Sequence, residues 1–428
     1  MLERRDPAVA AAVAALHAAA ACIVLATGFD HVSDDDFARV TIAQTFAHAP
    51  RLDPSGTSWL PFPFWWMGAW MAAFGRTLAV ARVASIALAS LSSGLAYLAL
   101  RTAGVTRGRA LAGLAFALLS PWSLWLGAAT VPESFTATAI AASAVALAAR
   151  PSAPFAALLA AACLSRYEAW PVAATVAVVL ALRARDADDR RAHLVAAAIA
   201  AIAPLAWMAW NAHAHGSPVH FFHRVSSFKR AIGEGSSDTT AALLLYPRLL
   251  LKTRPELAAA ALLGLLALRD EDVRRRWLVP LACIGAQLAF LAIGNARDGA
   301  PAHHPERALL GVTVLAAMFA VDACSELPSR FVTSQGRAAV GFGLVLLWAW
   351  SSARVWEGPP GASASEDRHA QLTRGRELEA RGVRALTVVP CAFEHFALLA
   401  AYGAPENATI EPKTGAPVGP ECPRVEAH

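Results

Sequence analysis

Three consecutive carboxylates, Asp34, Asp35 and Asp36, follow the first long apolar stretch of the chain. Like charges this close repel one another and raise each other's affinity for protons. Beside a lipid-type segment, such a run points to proton transfer or cation binding more readily than to packing. The plainer alternative is a helix N-cap with an acidic first turn, a place that Asp favours. Further reactive side chains stand at the ends of later apolar stretches: Glu133 behind Pro132, Arg166 and Glu168 around Tyr167, Lys229 and Arg230, and His303, His304 and Arg307. The carboxylates are candidates for general acid–base work, and the cationic groups for holding an anionic leaving group. Plainer readings stand beside these as well. Glu133 fits an ordinary first-turn acid after proline, and Arg166 with Glu168 fits a simple interfacial ion pair. His213, His215, His220 and His223 lie in a loop without a fixed tetrahedral frame, so no metal site is assigned to them.

The elements that must position these groups are apolar helices. Hydrophobic residues make up 56% of the 428 positions and charged residues only 16%, against roughly 25% charged in soluble domains. Apolar runs of roughly 17–25 residues, the length that crosses a hydrocarbon core, recur along the sequence. Arginines gather at Arg4 and Arg5, at Arg101, Arg107 and Arg109, from Arg183 to Arg191, from Arg269 to Arg276, and at Arg330 and Arg337. Taken as cytoplasmic ends, they define an all-α polytopic membrane protein of about eleven spans. Residues 29–77 then form a first external loop and 213–255 a second. The first loop carries juxtamembrane helices, one at 35–48 with apolar helical spacing and one in the aromatic stretch Trp59–Phe74. On this topology every reactive group named above falls on the external side, which suggests a cavity at the outer interface. The net charge of +5 forms no basic face with interleaved aromatics, so nucleic acid is not an expected partner.

The transmembrane unit is assigned to residues 1–354, and residues 355–428 to a small extracytoplasmic α/β module with strands near 385–390 and 408–411 and a helix at 394–402. Cys391 and Cys422 lie in this module and are able to pair if it is extracytoplasmic. The other four cysteines fall inside apolar spans.

Asp34-Asp35-Asp36-Phe37, followed by Ala43-Gln44-Thr45-Phe46-Ala47, resembles the acidic motif after the first span of the GT-C superfamily of integral-membrane glycosyltransferases. That superfamily includes protein O-mannosyltransferases, aminoarabinose transferases and catalytic subunits of oligosaccharyltransferases. Trp59-Leu60-Pro61-Phe62-Pro63 is similar to its aromatic segment, Phe74-Gly75 with Ala81-Arg82 to its lead into the second span, and Glu133 to its second acid. Arg307-Ala308-Leu309-Leu310 departs from the pattern by lacking the aromatic. The likeness covers roughly residues 5–325. It implies transfer of a sugar from a polyprenyl-phosphate donor to a lipid, glycan or protein acceptor, at the outer face of a bacterial inner membrane. On that analogy Asp35 is the general base. Asp34 and Asp36 tune it, orient the acceptor, or hold a divalent cation. Arg166, Lys229, Arg230 and Arg307 are the donor-phosphate candidates, and Glu133 holds acceptor or sugar. Glu168, His303, His304 and Trp59 are further acceptor or sugar contacts. A transporter or flippase is the competing function, and it predicts ionisable residues at mid-span and two related halves. A non-catalytic relative is the third.

Overall fold

The computed structural model describes residues 3–231, 238–299, 304–327, 333–361, 363, 366–415, 418 and 422–427. The apolar runs are helices. The chain begins with α1 (Asp6–Ala26), α2 (Asp34–His48), α3 (Phe62–Phe74) and α4 (Leu78–Thr102). It continues through α5 (Arg107–Leu118), α6 (Pro121–Ala128), α7 (Glu133–Ala149) and α8 (Ala153–Cys163). After a 3-10 turn at Tyr167–Ala169 come α9 (Trp170–Arg183), α10 (Arg190–His215), α11 (His220–Ala231) and α12 (Thr239–Thr253). The helical part closes with α13 (Pro255–Ala267), α14 (Glu271–Ala296), α15 (Glu306–Ser325) and α16 (Ser334–Trp356).

Six of these, α1, α4, α10, α14, α15 and α16, are long and apolar enough to cross a membrane. A seventh span arises if α5 and α6, bent by 78° at their junction, count as one. The bend has a local cause: proline disfavours helical geometry in the residue before it, and Ser120 is extended, with ψ 151°, ahead of Pro121. The expected count of about eleven is therefore not established by length and composition. Helix α8, with 11 residues, rises only about 17 Å.

Helix α7 is the hub. From Glu133 to Ala148 every residue is buried, against α4, α8, α14 and α15, and its run of Ala, Ser and Thr lets neighbouring backbones approach closely. Gly94 serves the same end where α1 crosses α4, since an added Cβ would stand 2.8 Å from the Ala10 carbonyl. Several sequence arginines are clasped at one end of the bundle. Asp6 accepts from Tyr97 Oη (2.8 Å) and Arg101 Nε (3.1 Å), and Asp322 from Trp277 Nε1 (2.8 Å) and Arg276 Nε (3.2 Å). Helix α16 stands apart, with Phe342, Leu346 and Trp350 more than half exposed, a face suited to lipid.

The C-terminal module contains α17 (His369–Ala380), β1 (Leu386–Val389), α18 (His395–Tyr402), β2 (Ala408–Ile410) and β3 (Arg424–Ala427). The strand order is β2-β1-β3, with β1–β2 parallel and β1–β3 antiparallel. Cys391 and Cys422 form a disulfide. The expected strand, helix and strand are present, while α17 and β3 were not anticipated. The module packs on α2 through α17 and α18, where Leu372 of the first and Ala397 and Ala400 of the second join Phe37, Val40 and Ala43 in one apolar cluster. Gln44 Nε2 donates to the Ala400 carbonyl at 2.9 Å. His31 pins the approach to the module: Nδ1 meets the Asp30 carboxylate and Nε2 the Glu366 carbonyl, at 3.0 Å. Both partners accept, so the ring is held as an imidazolium. Burial opposes that charge, but the Asp30 hydrogen bond and the charges of Asp30, Asp36 and Asp34 outweigh it, and the His31 pKa lies above the usual histidine range.

A group with a raised folded pKa contributes stability in full below its unfolded value, about 6.5 for histidine, and loses it as pH rises through the folded value. The melting temperature of the unsubstituted protein should therefore fall relative to His31→Gln as pH is raised through that range. Parallel curves in a thermal-shift series would contradict this. The first turn of α2 gives a second expectation. The buried Asp36 carboxylate accepts from the amides of Val32 (3.0 Å), Ser33 (3.3 Å) and Thr130 (2.9 Å), so Asp36→Ala orphans three donors. The expected loss is roughly 2–4 kcal/mol. Asp35→Ala, measured alongside, should melt close to the parent.

Candidate active site

The three aspartates of the run diverge because successive side chains on a helix are turned by about 100°. Ser33 is the N-cap of α2, and Asp36 closes a capping box with it. Asp36 also receives Thr130 Oγ1, at 3.2 Å on its carboxylate and 2.9 Å on its backbone carbonyl, which staples α2 to the segment before α7. Burial pushes its pKa up, against the pull of Arg307, His31 and the Val32 and Thr130 amides. Asp34 accepts Arg368 Nε on one oxygen (2.7 Å) and Nη2 on the other (3.0 Å). Asp35 is the open member, with its side chain 45% exposed and one oxygen 3.2 Å from Arg307 Nη1.

Behind Asp35 lies a buried ionic cluster. Glu133, at the first turn of α7, directs Oε1 at Arg166 Nη1 (2.6 Å), Arg307 Nε (2.8 Å) and Arg307 Nη2 (2.6 Å). Arg166 continues to Glu168, with Nε 3.2 Å from both oxygens and Nη2 2.5 Å from Oε1. Burial works against the Arg166 charge, but Glu133 and Glu168 outweigh it and raise its pKa. Arg307 also reaches Ser33 Oγ at 3.1 Å. One connected network thus joins α2, α7, the turn before α9 and the start of α15.

Two groups in the cluster have unused hydrogen-bonding capacity. Arg39 is buried, yet its Nε and Nη1 have no partner, and Glu133 Oε2 is likewise buried and unpaired. The Arg39 guanidinium lies 4.4 Å from the Trp59 ring centroid, a cation–π contact. Burial lowers its pKa to about 10, with Glu133 and Asp35 supporting the charge and Arg166 and Arg307 opposing it. It is still a cation near neutral pH.

Of the residues singled out in the sequence, Asp35, Glu133, Arg166, Glu168 and Arg307 come together here, and Trp59 joins them through Arg39. Lys229 and Arg230 do not. Lys229 Nζ is buried on Asn295 Oδ1 at 3.0 Å, and the exposed Arg230 lies 4.0 Å from Asp298. His304 flanks the cluster, its ring against Trp122 and its carbonyl accepting the Arg307 amide at 3.0 Å. His303 lies outside the described residues. Asp34, Asp35 and Asp36 face three different partners, so they present no shared set of oxygens to a cation. Among the described residues, the grouping with metal-ligand geometry is Cys391, Glu394 and Cys422, and its cysteines are disulfide-bonded.

Four residues of this region were missed in the sequence: Ser33, Arg39, Gln287 and Arg368. Arg39 left a signal, since it follows Asp35 by four positions and thus shares its helix face. Gln287 Nε2 donates to the Glu168 carbonyl at 3.0 Å, while its Oε1 is buried without a partner. Arg368 is 334 positions from Asp34, and no local pattern reveals that contact.

No family model matches the chain, and no curated protein matches it. Solved structures do. The structure of ArnT from Cupriavidus metallidurans bound to undecaprenyl phosphate superimposes with a TM-score of 0.53 at 16% identity, covering 91% of this chain and 74% of that one. The same protein in the apo state gives 0.50, with the same identity and coverage. The chain is therefore similar to ArnT in fold.

Proposed function

We propose that this protein is a membrane glycosyltransferase that takes its sugar from a polyprenyl-phosphate-linked donor. The observation that carries the reading is Arg39: a buried guanidinium with two unpaired nitrogens, beside the one well-exposed carboxylate of the aspartate run. A buried unpaired donor costs roughly 1–3 kcal/mol, and more when charged. A ligand with phosphate oxygens and sugar hydroxyls would satisfy both Arg39 and Glu133 Oε2. The ArnT structure that shares this fold was obtained with undecaprenyl phosphate, in keeping with a lipid phosphate here.

In the proposed reaction, the acceptor nucleophile attacks the anomeric carbon while Asp35 takes its proton. The bond from that carbon to the phosphate oxygen breaks, and the leaving lipid phosphate is met by Arg39 and Arg307. Arg307 sits between Asp35 and Glu133. A phosphate that draws Arg307 toward itself would free Asp35 to act as base, so donor binding and base activation would be coupled. Arg166 and Glu168 hold Glu133 in place. The site lies at the end of the bundle opposite the clasped arginines, which by the positive-inside rule is the extracytoplasmic face of a bacterial inner membrane. The acceptor class, whether lipid, glycan or protein, is set by contacts around Asp35.

Asp35→Asn is expected to abolish transfer from polyprenyl-phosphate sugars in proteoliposomes while the protein accumulates and melts normally. Full activity in that variant would end the assignment of the base. Arg39→Gln is expected to weaken binding of undecaprenyl phosphate by about 10-fold or more, because a charge-assisted hydrogen bond is worth roughly 1.5–3 kcal/mol. Arg230→Gln, on the exposed helix surface, should bind as the parent does. Equal affinities for Arg39→Gln and parent in a titration would remove Arg39 from the donor site.

A further inference from the structure

We infer that Arg368 is a positioning residue of this site, and that through it the C-terminal module is a working part of the transferase rather than an appendage. The inference rests on the function proposed above and extends it to a residue in the module. The geometry is specific. Arg368 Nε and Nη2 hold the two oxygens of Asp34 at 2.7 and 3.0 Å, a two-pronged pairing in which the arginine side chain is 6% exposed. Capping does not require it, because Ser33 and Asp36 already cap α2. Burying a guanidinium across such a distance in sequence costs desolvation energy, and an aspartate in a helix first turn is stable in water without one.

What the pairing does achieve is control of charge beside Asp35. An unneutralised Asp34 would be a second carboxylate adjacent to the base and to an incoming lipid phosphate. Engaged by Arg368, Asp34 is turned toward the module, while Asp35 faces Arg307 on the other side. The arginine is held firmly enough to do this. It is the N-cap of α17, Leu372 of α17 packs in the apolar cluster that joins the module to α2, and Gln371 Nε2 donates to the Cys422 carbonyl at 2.9 Å, next to the Cys391–Cys422 disulfide. His31 adds a second tie between the two parts, at the Glu366 carbonyl.

The test uses Arg368→Gln, Asp34→Asn and the double variant in the full chain. The readout is release of undecaprenyl phosphate from a panel of synthetic undecaprenyl-phosphate sugars, with thermal stability recorded in parallel. Arg368→Gln is expected to lower kcat by about 10–100-fold, the scale of a small misplacement at a reacting centre, with donor KM changed by less than about 3-fold. The double variant should regain most of that loss, because removing the Asp34 charge removes the need for its partner. A double variant as slow as Arg368→Gln overturns the inference, as does full activity in Arg368→Gln itself. Arg368→Lys, which keeps the charge without the planar fork, should fall between the two and serves where the glutamine variant does not accumulate. If the unsubstituted protein releases undecaprenyl phosphate from no member of the panel, the glycosyl-transfer reading fails separately. Hydrogen exchange over residues 33–39 then decides the positioning role: faster exchange in Arg368→Gln supports it, and unchanged exchange overturns it.

Discussion

The buried carboxylate of Glu133 is the interaction on which the end of the bundle depends. A carboxylate removed from water demands compensation, and Glu133 obtains it from Arg166 and Arg307, which arrive from the turn before α9 and from the start of α15. Those two arginines in turn reach Glu168, Ser33 and Asp35. Truncating Glu133 would leave the buried charges of Arg166 and Arg307 uncompensated, at a cost of about 3–5 kcal/mol. The hub helix α7 is therefore fastened at its first turn to the elements that border the site, and their geometry is set jointly.

This fastening also leaves the hydrogen-bonding capacity of the cluster unevenly distributed. Counting formal charges, the cluster contains Glu133, Glu168 and Asp35 against Arg39, Arg166 and Arg307. Arg166 and Arg307 spend most of their hydrogen bonds on the carboxylates, whereas Arg39 lies against the rings of Trp59 and Phe64 with Nε and Nη1 unpaired. Donors fixed before the ligand arrives need no reorganisation when charge develops, which is the basis of electrostatic preorganisation. Arg166 holds the frame, Arg307 is shared between Glu133 and Asp35, and Arg39, without hydrogen bonds at two nitrogens, has capacity to spare. That division of labour favours an anionic ligand over a neutral one.

Much of the architecture was legible in the sequence because hydrophobic run length and arginine placement are one-dimensional signals. The boundaries of α1, α2, α4 and α15 follow them closely, as do the strand and helix of the tail around Leu386–Val389 and His395–Tyr402. The span count was less legible. A proline break such as Ser120-Pro121 divides one apolar run into two helices, and short runs such as α8 carry no mark of how deeply they sit. Within the site, Asp35, Glu133, Arg166 and Arg307 stood out because each lies where an apolar run ends. Lys229 and Arg230 shared that signal and point elsewhere: they lie in the last turn of α11, and the end of an apolar run does not fix the direction of a side chain. Arg39 was hidden inside the acidic motif that drew attention in the first place. Arg368 was invisible because its partner is 334 positions away, and the packing of the C-terminal module on α2 brings them together.

The aspartate run itself behaves as three separate residues. A helix turns consecutive side chains by about 100°, so three acids in its first turn cannot face one ligand without distortion. Each has found a different solution to the repulsion that makes such a run expensive. Asp36 is buried under backbone amides and Thr130, Asp34 is neutralised by Arg368, and Asp35 keeps one contact with Arg307 and access to solvent. The solutions are linked, because the caps and pairings of the outer two fix the orientation of the middle one. The clustering seen in the sequence is therefore a consequence of building one accessible carboxylate at a rigid helix start, with its neighbours used as anchors to α7 and to the C-terminal module.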